Sequence, residues 1–306
     1  MIEMKSALVL QLRVRQDIQE RTDKILRELG NPDPPLNLDV VRELLRLDRD
    51  YFTSDSDGLL QAMVSKLKRG GIQILERPML LFEAVKKFDL RALYLPDRRR
   101  IMIDDAIPKP KHRWLEAHKI GHDLLPWHHD MLLGDDSLTP TPSTHDKMEA
   151  EANYAAGSLI FLGDRFRDEC REVRVNLANV KLLQKRYGNT MTTTLWRMIE
   201  YAGEQMPIIG AIGQHPNGSQ DGPDFRHLIP SAAFDRQFDV PNPAELVSSV
   251  RSYSRPNGRG HLGQGEVILK DKQERRHSFH FETFYNGYDA LTLGVHHCEL
   301  PATIIL

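Results

Sequence analysis

The hydrophobic pattern changes character near Met206, and that change constrains the fold more than any single motif does. Before it, apolar residues recur mainly at the three- and four-residue spacing of amphipathic helices. The stretch 17–29 has this spacing and stops at Gly30; after the breaker Asn31-Pro-Asp-Pro-Pro35 it resumes over 38–47. Strand-like runs interrupt the helices at 71–75, 90–95 and 100–104, the last two pairing across 96–99. A helix follows and stops near Pro126, residues 133–146 read as a loop, and helix returns over 147–162 and 164–202. Beyond Met206 the runs shorten to strands at 207–212, 266–269 and 277–285, the last leading through Asn286-Gly287 into 288–297. An Asn-Gly pair flanked by alternating apolar residues is the strongest short hairpin signal. Phe279, Phe281 and Tyr285 share one strand face and are expected in a core, while the Pro-, Gly- and Asn-rich stretches 214–223 and 255–265 are expected as loops. The pattern predicts an α+β chain, with a mostly helical domain carrying a small sheet over 1–205 and a β-rich domain over 206–306.

Composition narrows the function classes. At 306 residues the chain can bury two cores. A net charge of −2 gives no general attraction to nucleic acid or anionic membrane. No apolar run approaches the roughly 18–20 residues of a membrane span, and Ala7-Leu-Val-Leu-Gln-Leu12 is too short and too soon charged for a signal peptide. Two cysteines, Cys170 and Cys298, make no disulfide framework and point to a reducing, cytoplasmic setting.

The histidines carry the chemistry. Six of the 13 fall between His112 and His145. In Ala117-His-Lys-Ile-Gly-His122 the four-residue spacing puts both imidazoles on one face of a helix. Such a pair alone is commonly just a buried or exposed pair of side chains. Here the helix follows a strand hairpin, Gly121 frees space for a neighbouring backbone, and Glu149-Ala-Glu-Ala-Asn153 on the next helix offers a carboxylate. Two imidazoles and one carboxylate, with a fourth position open, form the ligand set of a catalytic zinc. A zinc hydrolase of this type has glutamate after the first histidine, as the base that takes a proton from the attacking water. This chain has Lys119 there. An ammonium donates hydrogen bonds and accepts none, and one about 5 Å from zinc would oppose metal binding by several kcal/mol at an effective dielectric of about 20. Its long stem gives the charge a way to swing outward into solvent. Glu116 projects from another side of the helix, and His128, His129 and His145, candidates for the separate histidine that stabilises a tetrahedral intermediate in many zinc peptidases, each read first as a solvated loop histidine.

With these residues in view, the chain resembles the ImmA/IrrE family of metallopeptidases over roughly residues 35–200, most specifically at Ala117-His-Lys-Ile-Gly-His122 and Glu149-Ala-Glu-Ala-Asn-Tyr-Ala155. The resemblance implies a zincin-like fold and zinc held by His118, His122 and Glu149, with Glu151 as second choice for the carboxylate. It implies cleavage of a helix-turn-helix repressor in stress response or transcription regulation. Lys119 stands at the family's general-base position, so peptidase activity is expected to be lost or impaired. The alternative is a non-catalytic pseudopeptidase that binds a protein or ligand. Val180 to Gly188 followed by Thr192 to Ile199 has helix-turn-helix spacing, but the second helix carries only Arg197 as a cation, so direct DNA binding is not expected. The basic clusters Arg98-Arg-Arg100 and Lys109 to Arg113 read as solvated charge, and His296-His297 has no evident partner.

Overall fold

A computed structural model of the chain describes residues 10, 12–52, 92–95, 99–128, 142–218 and 225–301. The strand expected at 71–75, and most of the loops expected at 133–146 and 214–223, lie outside the described residues. Two compact units are present, Ala7–Gly163 and Asp164–Leu306.

In the first unit, α1 (Leu12–Glu28) buries Ile18, Thr22, Ile25 and Leu26, one face at helical spacing. That face packs on α4, around a small core of Leu10, Ile18, Leu125 and Ala155. Helix α2 (Leu38–Leu45) begins where the Asn37 side chain accepts from the Asp39 amide and ends at Arg46 in the left-handed conformation, φ 54°. Strands β1 (Asp48–Phe52), β2 (Ala92–Leu95) and β3 (Arg100–Asp104) form a sheet of order β1-β3-β2. The expected β2/β3 hairpin is present, with Ala92 opposite Ile103. The parallel strand β1, with Asp48 opposite Arg100, was not expected. Helix α3 (Lys109–Leu124) runs from this sheet and ends before Pro126. It packs against β2 and β3 and, most extensively, against α4 (Pro142–Ile160). Residues 142–146 are thus helix rather than loop, because Pro142 occupies the first helical position, where its missing N–H costs nothing. Glu149 consequently lies well inside α4 rather than at its start.

In the second unit, α5 (Asp164–Glu172), α6 (Leu177–Tyr187) and α7 (Met191–Ala202) are divided by the caps Asn176 and Thr190 and by Gly188 at φ 65°. Strands β4 (Ile208–Gly213), β5 (Phe225–Pro230), β6 (Gly260–Lys270), β7 (Arg276–Tyr285) and β8 (Ala290–Glu299) form an antiparallel sheet of order β5-β4-β8-β7-β6. Helices α8 (Ala232–Gln237) and α9 (Pro243–Tyr253) connect β5 to β6. They share a core with the sheet, in which Phe279 and Phe281 meet Phe234, Phe238, Leu246 and Val250. Phe279 and Phe281 thus occupy the core expected of them, whereas Tyr285 is half-buried, edge-on to His215. Residues 260–265, expected as loop, belong to β6. The units divide at Gly163/Asp164, upstream of the boundary expected near residue 205, because α7 lies against β4 and α6 against β7. The chain is α+β, as the sequence pattern predicts. Among the described residues no helix is long and apolar enough to cross a membrane.

Candidate metal centre

Helix α3 presents His118 and His122 one turn apart, both buried, with their rings edge-to-face at 4.8 Å. Their Nε2 atoms are 3.2 Å apart. From α4, Glu149 brings Oε2 to 3.1 Å from His118 Nε2 and Oε1 to 3.4 Å from His122 Nε2. Ligand atoms at about 2.0–2.1 Å from a tetrahedral zinc stand about 3.3 Å from one another. The three observed separations match that edge length, and the three residues form a group that could hold a metal ion.

The electrostatics favour the ligating protonation states. Burial disfavours the charged imidazole and outweighs the opposing attraction of the Glu149 carboxylate, to which the charged ring would donate, so His118 is shifted down and His122 is pushed down to about 4. Burial alone would raise Glu149, but the imidazoles of His118 and His122 beside it prevail and hold the carboxyl well below its ordinary range. At neutral pH the centre therefore offers two neutral imidazoles and a carboxylate, the forms that bind metal without first losing protons.

The α3–α4 approach depends on Gly121. A Cβ at this position would lie 2.6 Å from the Ala152 carbonyl oxygen, so only glycine lets the two backbones come this close. The space that the sequence assigns to Gly121 is filled by the helix that supplies Glu149. On another side of α3, Glu116 is buried and accepts from Arg42 Nε at 2.5 Å and from Arg49 Nη1 at 2.7 Å. These pairs tie α3 to α2 and β1, and they engage both oxygens of the Glu116 carboxylate.

Three expectations need correction. Lys119 is half-buried rather than extended into solvent: burial is the largest influence on its ammonium and lowers its pKa, with Glu149 only partly opposing. Glu151 is not in the ligand group; its Oε2 accepts from Trp127 Nε1 at 2.6 Å and from His128 Nε2 at 2.9 Å. His128 is not a solvated loop histidine but fully buried, with Nδ1 3.0 Å from His122 Nδ1. A helical turn at 126–128 folds it back beside α3, the His128 amide donating to the Leu125 carbonyl at 2.9 Å. His129 and the side chain of His145 lie outside the described residues. In the helix-turn-helix-like segment, Arg197 is buried, donates to Glu200 at 2.9 Å and lies over the Tyr201 ring. The one cation of α7 is thereby held within its own helix.

No family model and no curated protein matches the chain. Among solved structures it is similar to a Mycobacterium tuberculosis transcriptional regulator, with a TM-score of 0.52 and 12% sequence identity, over 93% of this chain and 88% of that chain. At that identity the likeness is one of fold. Fold and site together define an α+β protein in which two histidines and one glutamate on facing helices form a group that could hold a metal ion.

Proposed function

We propose that this chain is a zinc-binding protein of the metallopeptidase type, resembling the ImmA/IrrE family, with cleavage of a regulatory protein crippled by Lys119. The observation that carries this reading is the convergence of His118, His122 and Glu149 at separations of 3.1–3.4 Å. Two nitrogens and a carboxylate with an open fourth position suit zinc better than magnesium or calcium, which prefer oxygen ligands in greater number. When bound, zinc would polarise a peptide carbonyl and acidify water.

The chain's own residues decide the rest. His118 and His122 stay neutral through burial, and the imidazoles beside Glu149 hold its carboxyl ionised. Lys119 sits where a carboxylate would take up the proton of the attacking water, and its ammonium has no lone pair to do so. Loss of a positioned base costs about 10²–10⁴ in rate. The substrate class that the resemblance suggests is a helix-turn-helix repressor, and the regulatory description of the fold neighbour is consistent with that setting. Neither free cysteine is paired, Cys170 being buried and Cys298 exposed, which supports a reducing cytoplasmic location. The second reading, a pseudopeptidase that binds its partner without cutting it, is favoured by the same lysine.

The test is a side-by-side digest of helix-turn-helix repressors encoded by the same cell, using the protein and its Lys119→Glu variant at equal zinc content. The glutamate form is expected to cleave at least about a hundredfold faster. Equal cleavage by both forms would overturn the role given to Lys119, and no cleavage by either would favour the pseudopeptidase.

A further inference from the structure

Behind the metal centre a chain of hydrogen bonds leads away from His122 and ends on a carboxylate. His122 turns Nε2 toward His118 and Glu149, and its Nδ1 lies 3.0 Å from Nδ1 of His128. Nε2 of His128 lies 2.9 Å from Glu151 Oε2, which also accepts from Trp127 Nε1 at 2.6 Å. His122 is 5% exposed and His128 0%, so water does not substitute for these bonds.

We infer that His128 and Glu151 are positioning residues that fix the tautomer and ring orientation of His122 and thereby raise zinc affinity; this rests on the metal-site reading above. A neutral imidazole has one N–H and one bare nitrogen. Glu151 presents an acceptor to His128 Nε2, so that nitrogen carries the proton and donates. Nδ1 of His128 is then bare and accepts, which requires the proton of His122 to be on Nδ1. Nε2 of His122 is left bare, directed at the ligand group. The opposite order would place two lone pairs 2.9 Å apart between His128 and Glu151 and would cap the ligating nitrogen of His122 with hydrogen. The direction of the chain is therefore set at its carboxylate end. Among the described residues no carboxylate-ended chain of this kind reaches His118 Nδ1.

The arrangement also accounts for the paired acids of Glu149-Ala-Glu151. One helix delivers Glu149 to the ligand nitrogens and Glu151 to His128, which lies behind His122. Partners behind metal-ligating histidines commonly change metal affinity by about 10–100-fold.

The experiment measures zinc affinity of the full chain by competition with a chromophoric chelator, for the protein and for His128→Phe, His128→Asn and His118→Ala. His128→Phe keeps a ring but has no acceptor and is expected to weaken zinc binding by about 10–100-fold. His128→Asn places an amide oxygen near the position of Nδ1 and is expected to keep most of the affinity. His118→Ala is expected to abolish binding. Zinc bound as tightly by His128→Phe as by the parent overturns the inference while leaving the metal site standing. No zinc on the parent overturns both. Should His128→Phe fail to fold, long-range ¹H–¹⁵N correlation on the unsubstituted protein reads the His122 tautomer directly. A proton on Nδ1 supports the relay, and a proton on Nε2 overturns it.

Discussion

Gly121 of α3 and Ala152 of α4 meet at a distance that admits no side chain, since a Cβ on Gly121 would stand 2.6 Å from the Ala152 carbonyl oxygen. This contact sets how near α4 comes to α3, and hence whether Glu149 reaches the two imidazoles.

Gly121→Ala should therefore affect the metal centre as well as stability. The backbone oxygen cannot rotate out of the way, so the helices must separate. Overpacking of this kind costs about 1–3 kcal/mol. The expected result is a lower melting temperature together with weaker zinc binding, read by calorimetry and chelator competition. A variant with a lowered melting temperature but parental zinc affinity would show that the helix spacing does not govern the site.

Glu116 gives a different expectation. It is buried beneath Arg42 and Arg49, and truncating one member of such a buried ionic group costs about 3–5 kcal/mol. The guanidinium groups are partly exposed, at 14% and 27% of their side chains, so the loss should fall at or below the lower end. Glu116→Ala is expected to destabilise the chain to denaturant while keeping its zinc. Loss of zinc with unchanged stability would assign Glu116 to the site instead.

Much of this centre is legible in the sequence because its chemistry is local. His118 and His122 follow from helical spacing, and Gly121 from the absence of a side chain facing a neighbour. The role of His128 is not local: it depends on a turn after Pro126 and on Glu151 arriving from another helix. Strand β1 escaped because Asp48-Arg-Asp50 alternates charge at the sheet edge and lacks the apolar run of a buried strand. Helix α9 had a readable start, Asn242 as cap with Pro243 and Glu245 in the first turn, obscured by the neighbouring prolines. Periodicity identifies α7 as a helix without saying that β4 lies beneath it, so the sequence does not reveal that the compact units divide at Gly163/Asp164.

The acid stability of the second unit should depend on Asp271. Burial would raise this carboxyl, but backbone donation from Arg275, the His277 ring and the Arg275 guanidinium prevail and hold it down to about 2. His277 in turn contacts His296, the residue for which the sequence suggests no partner. A carboxyl depressed in the folded state contributes stability that is present above its unfolded value near 3.8 and is lost as pH falls toward 2. Asp271→Asn is thus expected to be less stable at pH 7, with a shallower decline between pH 4 and 2. Parallel declines for the two proteins would contradict the ion pairing.

The most direct test of the central claim is the zinc content of the purified protein beside its His118→Ala and Glu149→Ala variants, measured by mass spectrometry after equilibration with zinc and removal of the excess. The parent is expected to hold close to one zinc per chain and each variant almost none. The variants should also lose the rise in melting temperature that zinc gives the parent, because metal bound only to the folded state stabilises it. A parent without zinc, or variants that retain it, would contradict the assignment of His118, His122 and Glu149 as the metal site.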